Sequence, residues 1–143
     1  MADIVERQLK ESKTIAVVGL SPKSERDSYR VARYLQEAGY RIIPVNPAVD
    51  EVLGEKSYPD LKSVPMSIDM VDVFRRSEQV PPVVDEAIQV GVKFIWMQDG
   101  VIHEEAAEKA RAAGIPVVMN NCAMREHRRR FGGGDTETQA PSS

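Results

Sequence analysis

Short apolar runs alternate along the chain with longer stretches whose apolar positions recur at helical spacing. Five runs have the length and β-branched content of buried strands: Thr14–Val18, Arg41–Val45, Met70–Phe74, Phe94–Met97 and Pro116–Met119. Between them, Val31, Tyr34, Leu35 and Ala38 fall at i, i+3, i+4 and i+7, and Val80, Val83, Val84, Ala87 and Ile88 repeat the pattern. Ala106, Ala107, Ala110 and Ala113 form a small-residue stripe able to lie close on a sheet. An opening helix carrying Ile4, Val5 and Leu9 on one face is predicted, as is a basic closing helix from Cys122 to about Arg130. Three helical stretches run into a glycine, at Gly39, Gly91 and Gly114, just before the next strand. Glycine there ends a helix in the left-handed conformation. The stretch from Ala48 to Ile68 is less regular, with Tyr58-Pro59-Asp60-Leu61 suited to start a short helix. Pro44 weakens the second run as a central strand, because proline cannot donate to the ladder.

Strand, helix, glycine, strand, repeated in this way, reads as a series of βαβ units. The expected fold is α/β: a Rossmann-like doubly wound parallel sheet of about five strands with helices on both faces. The chain has 143 residues, 42% hydrophobic and 29% charged, the size of one domain with its own core. The folded unit is expected to span residues 1–131. Residues 132–143, opening on Gly132-Gly133-Gly134 and nearly without apolar side chains, read as a disordered tail. With 19 Lys+Arg against 22 Asp+Glu the formal charge is -3, which argues against nucleic acid as a partner. Runs such as Ile15–Leu20 fall far short of the ~20 residues that span a bilayer, and the first seven residues hold no apolar signal core. A single cysteine, Cys122, makes no internal disulfide, and no spacing suits zinc. The expectation is a soluble, cytoplasmic protein without a membrane partner.

In doubly wound sheets ligands sit beyond the carboxyl ends of the strands, near the switch in strand order. Those ends read Gly19-Leu20-Ser21-Pro22-Lys23-Ser24, Asn46-Pro47, Arg75-Arg76-Ser77, Gln98-Asp99-Gly100 and Asn120-Asn121-Cys122. Strand ends are polar in any α/β domain, so the set alone does not mark a site. The first loop is more specific. Gly19 permits a tight turn, and the amides that follow, with Ser21, Ser24 and Ser28, face a helix N-terminus that suits phosphate. The same serines could simply cap that helix. The G-x-G-x-x-G fingerprint is absent, since Ser21 and Ser24 stand where it has glycine, and no GK[ST] follows. After strand two, a nicotinamide-binding domain usually carries an acidic residue for the ribose diol. Here Val45-Asn46-Pro47 is neutral, which favours a ribose phosphate, as in CoA or NADP, unless Asn46-Pro47 is only a rigid turn. Arg75 and Arg76 are the best anion clamp, because guanidinium binds phosphate bidentately. The run Arg125–Arg130 reads as a solvated helix face.

Taken together these residues resemble the small stand-alone CoA-binding proteins, relatives of the CoA-binding domain in the α subunit of succinyl-CoA synthetase. The likeness rests on Ile15–Ser21, Ser28–Leu35, Gly39–Pro47, Val71–Arg76, Trp96–Gly100 and Asn121–His127, within residues 3–131. It implies CoA held across the strand ends. The diphosphate would lie on Gly19, Leu20 and Ser21 and the helix start near Ser28 and Arg30. The Val45-Asn46-Pro47 turn would lie near the nucleotide half, and Phe74, Arg75, Arg76, Met97, Gln98 and Asp99 would flank adenine and pantetheine. Two departures matter. The synthetase subunit has a second domain with a phosphorylated histidine, for which this chain has no length. Its lysine after strand two is replaced by Ala48, Val49 and Asp50. Ligase chemistry is therefore not implied.

No catalytic constellation is visible. Cys122 and His127 stand five positions apart, about 140° around the helix, so they do not pair as thiolate and base. Cys122 reads as a buried structural thiol, although a helix N-terminus can lower a thiol pKa and permit a mixed disulfide with CoA. His103 reads as a cap or surface residue, and Trp96 and Phe94 as core. The expected function is non-catalytic binding of CoA or acyl-CoA as a single-domain module. Two alternatives stay open: an NADP-dependent oxidoreductase fragment, and a CoA-binding subunit of an acyl-CoA ligase with its catalytic domains on other chains. A homodimer or a larger CoA-using enzyme would be the protein partner.

Overall fold

The structure is a computed structural model and describes residues 3–132. The tail expected from 132 onward therefore lies outside the described residues, Gly132 excepted. Five parallel strands form one sheet: β1 (Thr14–Val18), β2 (Arg41–Val45), β5 (Met70–Val73), β6 (Phe94–Met97) and β7 (Val117–Val118), in the order β2-β1-β5-β6-β7. Every expected strand is present, with Phe74, Pro116 and Met119 falling outside the ladder. Pro44 is tolerated because β2 is an edge strand, paired only with β1 in this sheet. The segment after it partly covers that edge: the Tyr58 amide donates to the Pro44 carbonyl at 3.0 Å, and the Asn46 amide to the Tyr58 carbonyl at 2.9 Å.

Side chains alternate between two core layers. Ala16, Val18, Val71, Val73, Ile95 and Met97 pack with α3 (Val80–Val90) and α4 (Glu104–Ala112). Ile15, Val17, Met70, Phe94 and Trp96 pack with α1 (Ile4–Glu11), α2 (Asp27–Glu37) and α5 (Ala123–Arg130). The buried stripe of α2 is Ser28, Val31, Ala32 and Leu35, one step round from the apolar spacing alone, since Tyr34 is half-buried and Ala38 exposed. Ala106, Ala107 and Ala110 of α4 are buried, which lets that helix lie close to the sheet. His103 is the N-cap of α4, its Nδ1 accepting from the Ala106 amide at 3.1 Å. Among the described residues no helix is long and apolar enough to cross a membrane.

Three local features differ from the sequence reading. The short helix expected from Tyr58 is instead a single 3-10 turn at Leu61–Ser63, held by the Asp60 carboxylate, which accepts from the Ser63 amide at 2.9 Å. A two-stranded hairpin, β3 (Glu51–Val52) and β4 (Glu55–Lys56), precedes it. The basic run is not all solvated: Arg130 reaches Asp3, the N-cap of α1, and Glu126 on α5. The Tyr34 hydroxyl and His127 Nδ1 lie 2.8 Å apart, and burial holds the His127 imidazole below its ordinary pKa. Burial also pushes the Tyr40 phenol up to about 12; its hydroxyl donates to the Leu9 carbonyl.

Asp72 interrupts the apolar run of β5. It sits in one row with Val17 and Trp96, fully buried, and neither carboxylate oxygen has a hydrogen-bond partner among the described residues. Desolvation raises its pKa well above the ordinary carboxylate value. The folded chain thus keeps a proton that the unfolded chain gives up at about pH 4. Whatever stability Asp72 permits is present below that pH and is lost as pH rises through the folded value. Asp72→Val should raise stability at pH 8 by about 1–3 kcal/mol, with a smaller gain at pH 5. Urea unfolding at the two pH values measures this; equal destabilisation at both would contradict it.

Candidate functional site

The sheet changes direction between β1 and β5: the chain runs outward from β1 to β2 on one side, then returns to build β5, β6 and β7 on the other. At that switch the strand ends separate and leave a crevice. Gly19 closes β1 there with φ +88°, and a Cβ on it would stand 2.1 Å from the Phe74 carbonyl oxygen. Only glycine fits both the backbone and the approach. The Gly19 amide donates to Val45 and the Phe74 amide to Val18, each at 2.9 Å, so the turn bridges the ends of three strands.

Beyond Gly19 the loop is braced from within. The Ser21 amide donates to Ser28 Oγ at 3.0 Å, and the Lys23 amide to Ser21 Oγ at 3.1 Å. Ser28 is buried in the first turn of α2. The N-cap of α2, Arg26, is extended and makes no side-chain capping bond, so the first amides of this helix remain available for an acceptor. Arg30 turns back onto the Glu25 carbonyl at 2.9 Å and onto the Asp27 carboxylate.

Two adjoining cavities occupy the crevice. The larger, about 690 Å³, lies between the Gly19 loop, the start of α2, Arg75, Arg76 and the turn Asp99-Gly100-Val101. The second, about 370 Å³, lies between α2 and α5 over Phe74 and Gln98. Asp27, Phe74 and Asp99 line both. Neither Arg75 nor Arg76 forms an ion pair among the described residues, so two guanidinium groups face the larger cavity uncommitted. Asp99 is committed: Arg125 grips it bidentately at 2.8 and 2.9 Å. That hydrogen bonding holds the Asp99 carboxyl below its usual range and the Arg125 guanidinium above its own.

Of the residues read from the sequence, Gly19, Ser21, Ser28, Phe74, Arg75, Arg76 and Asp99 come together on the larger cavity. Arg30 and Gln98 come to the second, where Gln98 Oε1 accepts from the Ala123 amide at 3.1 Å. The others stand apart. Leu20, Val45 and Met97 have buried side chains in the core, Ser24 is exposed off the crevice, and Pro47 is exposed beyond the edge strand. The Asn46 side chain is used within its loop, donating to the Leu20 carbonyl at 3.0 Å and accepting from the Ala48 amide at 2.9 Å. Sequence reading did not bring in Val31, Met124, Arg125 and Arg128, which line the second cavity. Asn121 and Arg125, at i and i+4 across the start of α5, were the available signal for Arg125. Cys122 is buried and also lines this cavity. Among the described residues no three His, Cys, Asp or Glu side chains are grouped to hold a metal ion.

A glycine turn at the switch point of a parallel sheet, below an open helix N-terminus, defines the Rossmann-like class of domains that hold phosphate-bearing cofactors. The chain belongs to the CoA-binding domain family, whose pattern residues 13–128 match. It is 44% identical over 123 residues to the uncharacterized protein YneT of Bacillus subtilis (strain 168), covering 86% of this chain and 91% of that one. It is similar in structure to a hypothetical protein from Pyrococcus horikoshii OT3, with TM-score 0.85, 44% identity and 87% and 88% of the two chains covered. It is also 33% identical over 106 residues to the acetate–CoA ligase [ADP-forming] II of Archaeoglobus fulgidus, where the match takes in 73% of this chain but 16% of the ligase.

The contact at the switch point makes a direct prediction. Gly19→Ala must both hold positive φ and push Phe74 away, and should cost at least 3 kcal/mol. Gly91→Ala, at φ +85° with nothing within 4 Å of the new methyl, should cost about 1–2 kcal/mol. Thermal unfolding of the two variants checks the difference; similar costs would mean that the Phe74 contact is not tight.

Proposed function

We propose that residues 1–131 form a non-catalytic module that binds coenzyme A or an acyl-CoA across the ends of β1, β5 and β6. The observation that carries this reading is the larger cavity, where uncommitted Arg75 and Arg76 face the open N-terminus of α2 over the Gly19 turn. A diphosphate there would receive backbone N–H groups from one side and guanidinium groups from the other. The anion must also contend with the Asp27 carboxylate, which Arg30 neutralises. Membership of the CoA-binding domain family supports CoA over NADP as the nucleotide. Among the described residues Asp99 is engaged by Arg125, and Cys122, the N-cap of α5, and His127 line different cavities, so neither supplies an acid–base pair at the crevice. Binding without turnover is the reading these facts support.

A second reading follows from the ligases. Because a region of an ADP-forming acetate–CoA ligase resembles most of this chain, the module could deliver CoA to a larger CoA-using enzyme made from other chains. Copurification of such a partner, stabilised by CoA, would favour it.

Calorimetric titration with CoA, NADP and NAD tests the ligand. CoA should bind most tightly, and Arg75→Ala with Arg76→Ala should weaken it about 10- to 100-fold, the usual worth of charge-assisted hydrogen bonds. Raising salt should weaken the wild-type chain more than the double variant. Preference for NADP, or CoA binding indifferent to both arginines, would contradict the proposal.

A further inference from the structure

The second cavity differs in chemistry from the first, and the difference bears on which end of the cofactor it accepts. Its floor and walls are Val31, Phe74, Cys122 and Met124, with the buried Gln98 amide beneath. Its cations are largely engaged within the protein. Arg125 is clamped to Asp99, Arg30 is bound to Asp27 and the Glu25 carbonyl, and Arg128 lies over the Tyr34 ring at 5.2 Å. A phosphate entering here would compete with Asp99 for Arg125 and with Asp27 for Arg30, leaving Arg128 alone without a carboxylate partner among the described residues, whereas Arg75 and Arg76 both wait uncommitted in the first cavity. An apolar group would break nothing and would leave water for carbon and sulfur surfaces.

Resting on the reading of the crevice as a CoA site, we infer that the second cavity is an acyl pocket, and that the ligand class is a CoA thioester with a short uncharged acyl chain. The two cavities meet at Asp27, Phe74 and Asp99, so a ligand whose diphosphate occupies the first can run over Phe74 into the second. A space of about 370 Å³ accommodates the thioester with several carbons. The half-buried Met124, at the start of α5, stands where the end of such a chain would lie, and its unbranched thioether adapts to chains of differing length. Long chains would have to leave the pocket between Arg125 and Arg128, so their advantage should level off. A chain ending in a carboxylate would meet Asp27 and Asp99 as well as the arginines they hold, and would lose the gain of burying carbon on the apolar walls, so it should bind less well than its uncharged counterpart.

The experiment is titration of the full chain with CoA, acetyl-CoA, butyryl-CoA and succinyl-CoA. Each methylene removed from water strengthens binding up to about fourfold, so butyryl-CoA should bind about tenfold tighter than acetyl-CoA. Succinyl-CoA should fall below butyryl-CoA. Met124→Trp, which fills the pocket, should bring the butyryl to acetyl ratio to about one, and Met124→Ala should move the best chain length upward. Equal affinities across the series, or a ratio that survives Met124→Trp, would overturn the acyl pocket while leaving CoA binding intact. The wild-type series decides the matter even where a variant fails to fold. Absence of binding by all four ligands would instead overturn the CoA reading on which the inference rests.

Discussion

The space between the Cα of Gly19 and the carbonyl oxygen of Phe74 is too small for a methyl group, and the architecture of the crevice depends on that closeness. Because the turn after β1 can press against the end of β5, the chain leaves the sheet at once and enters α2 at Asp27, after an eight-residue loop. The Ser21 amide then reaches Ser28 in the first turn of the helix, fixing the loop at both ends. A larger residue at position 19 would lift the loop away, and with it the helix start that faces the larger cavity. One packing constraint therefore sets the backbone of the proposed phosphate site, before any side chain is considered.

Charge divides the crevice in two. The chain carries a formal charge of -3, yet arginines concentrate around the strand ends. On the α5 side Arg125 is tied to Asp99 and Arg30 to Asp27, Arg128 lies over the Tyr34 ring, and Val31, Phe74, Cys122 and Met124 supply apolar wall between them. On the β5 side Arg75 and Arg76 keep their charge available. An extended ligand with an anionic middle and an apolar end matches this division better than a compact anion. The buried Asp72 of β5 lies two residues before Phe74, which follows the strand, so the segment that lines both cavities also carries, within the core, a carboxyl without a hydrogen-bond partner among the described residues.

Much of the fold was legible because parallel strands buried on both faces read as continuous apolar runs, and the helix-ending glycines punctuate them. The hairpin was not, for a physical reason. Each of its strands is two residues long, too short for alternation to show. Its turn places Leu53 and Gly54 at positive φ, where Asn-Gly would have announced it. The central part of the site was read from strand ends, and Gly19, Phe74, Arg75, Arg76 and Asp99 do converge. Strand ends do not reveal which side chains turn inward, so Leu20, Val45 and Met97 belong to the core. The polarity of Asn46 suggested a ligand contact, but its amide spans its own loop. The Asp99–Arg125 pair joins residues 26 positions apart, a relation that helical or strand periodicity does not carry.

The most direct test of the account is amide chemical-shift mapping of the isotopically labelled protein as CoA is added. The account requires shifts at Gly19, Ser21, the first turn of α2, Arg75, Arg76 and Asp99, with the α3–α4 face unmoved. Shifts centred on the groove between Pro81, Asp85, His103 and Lys109, on that opposite face, would contradict it.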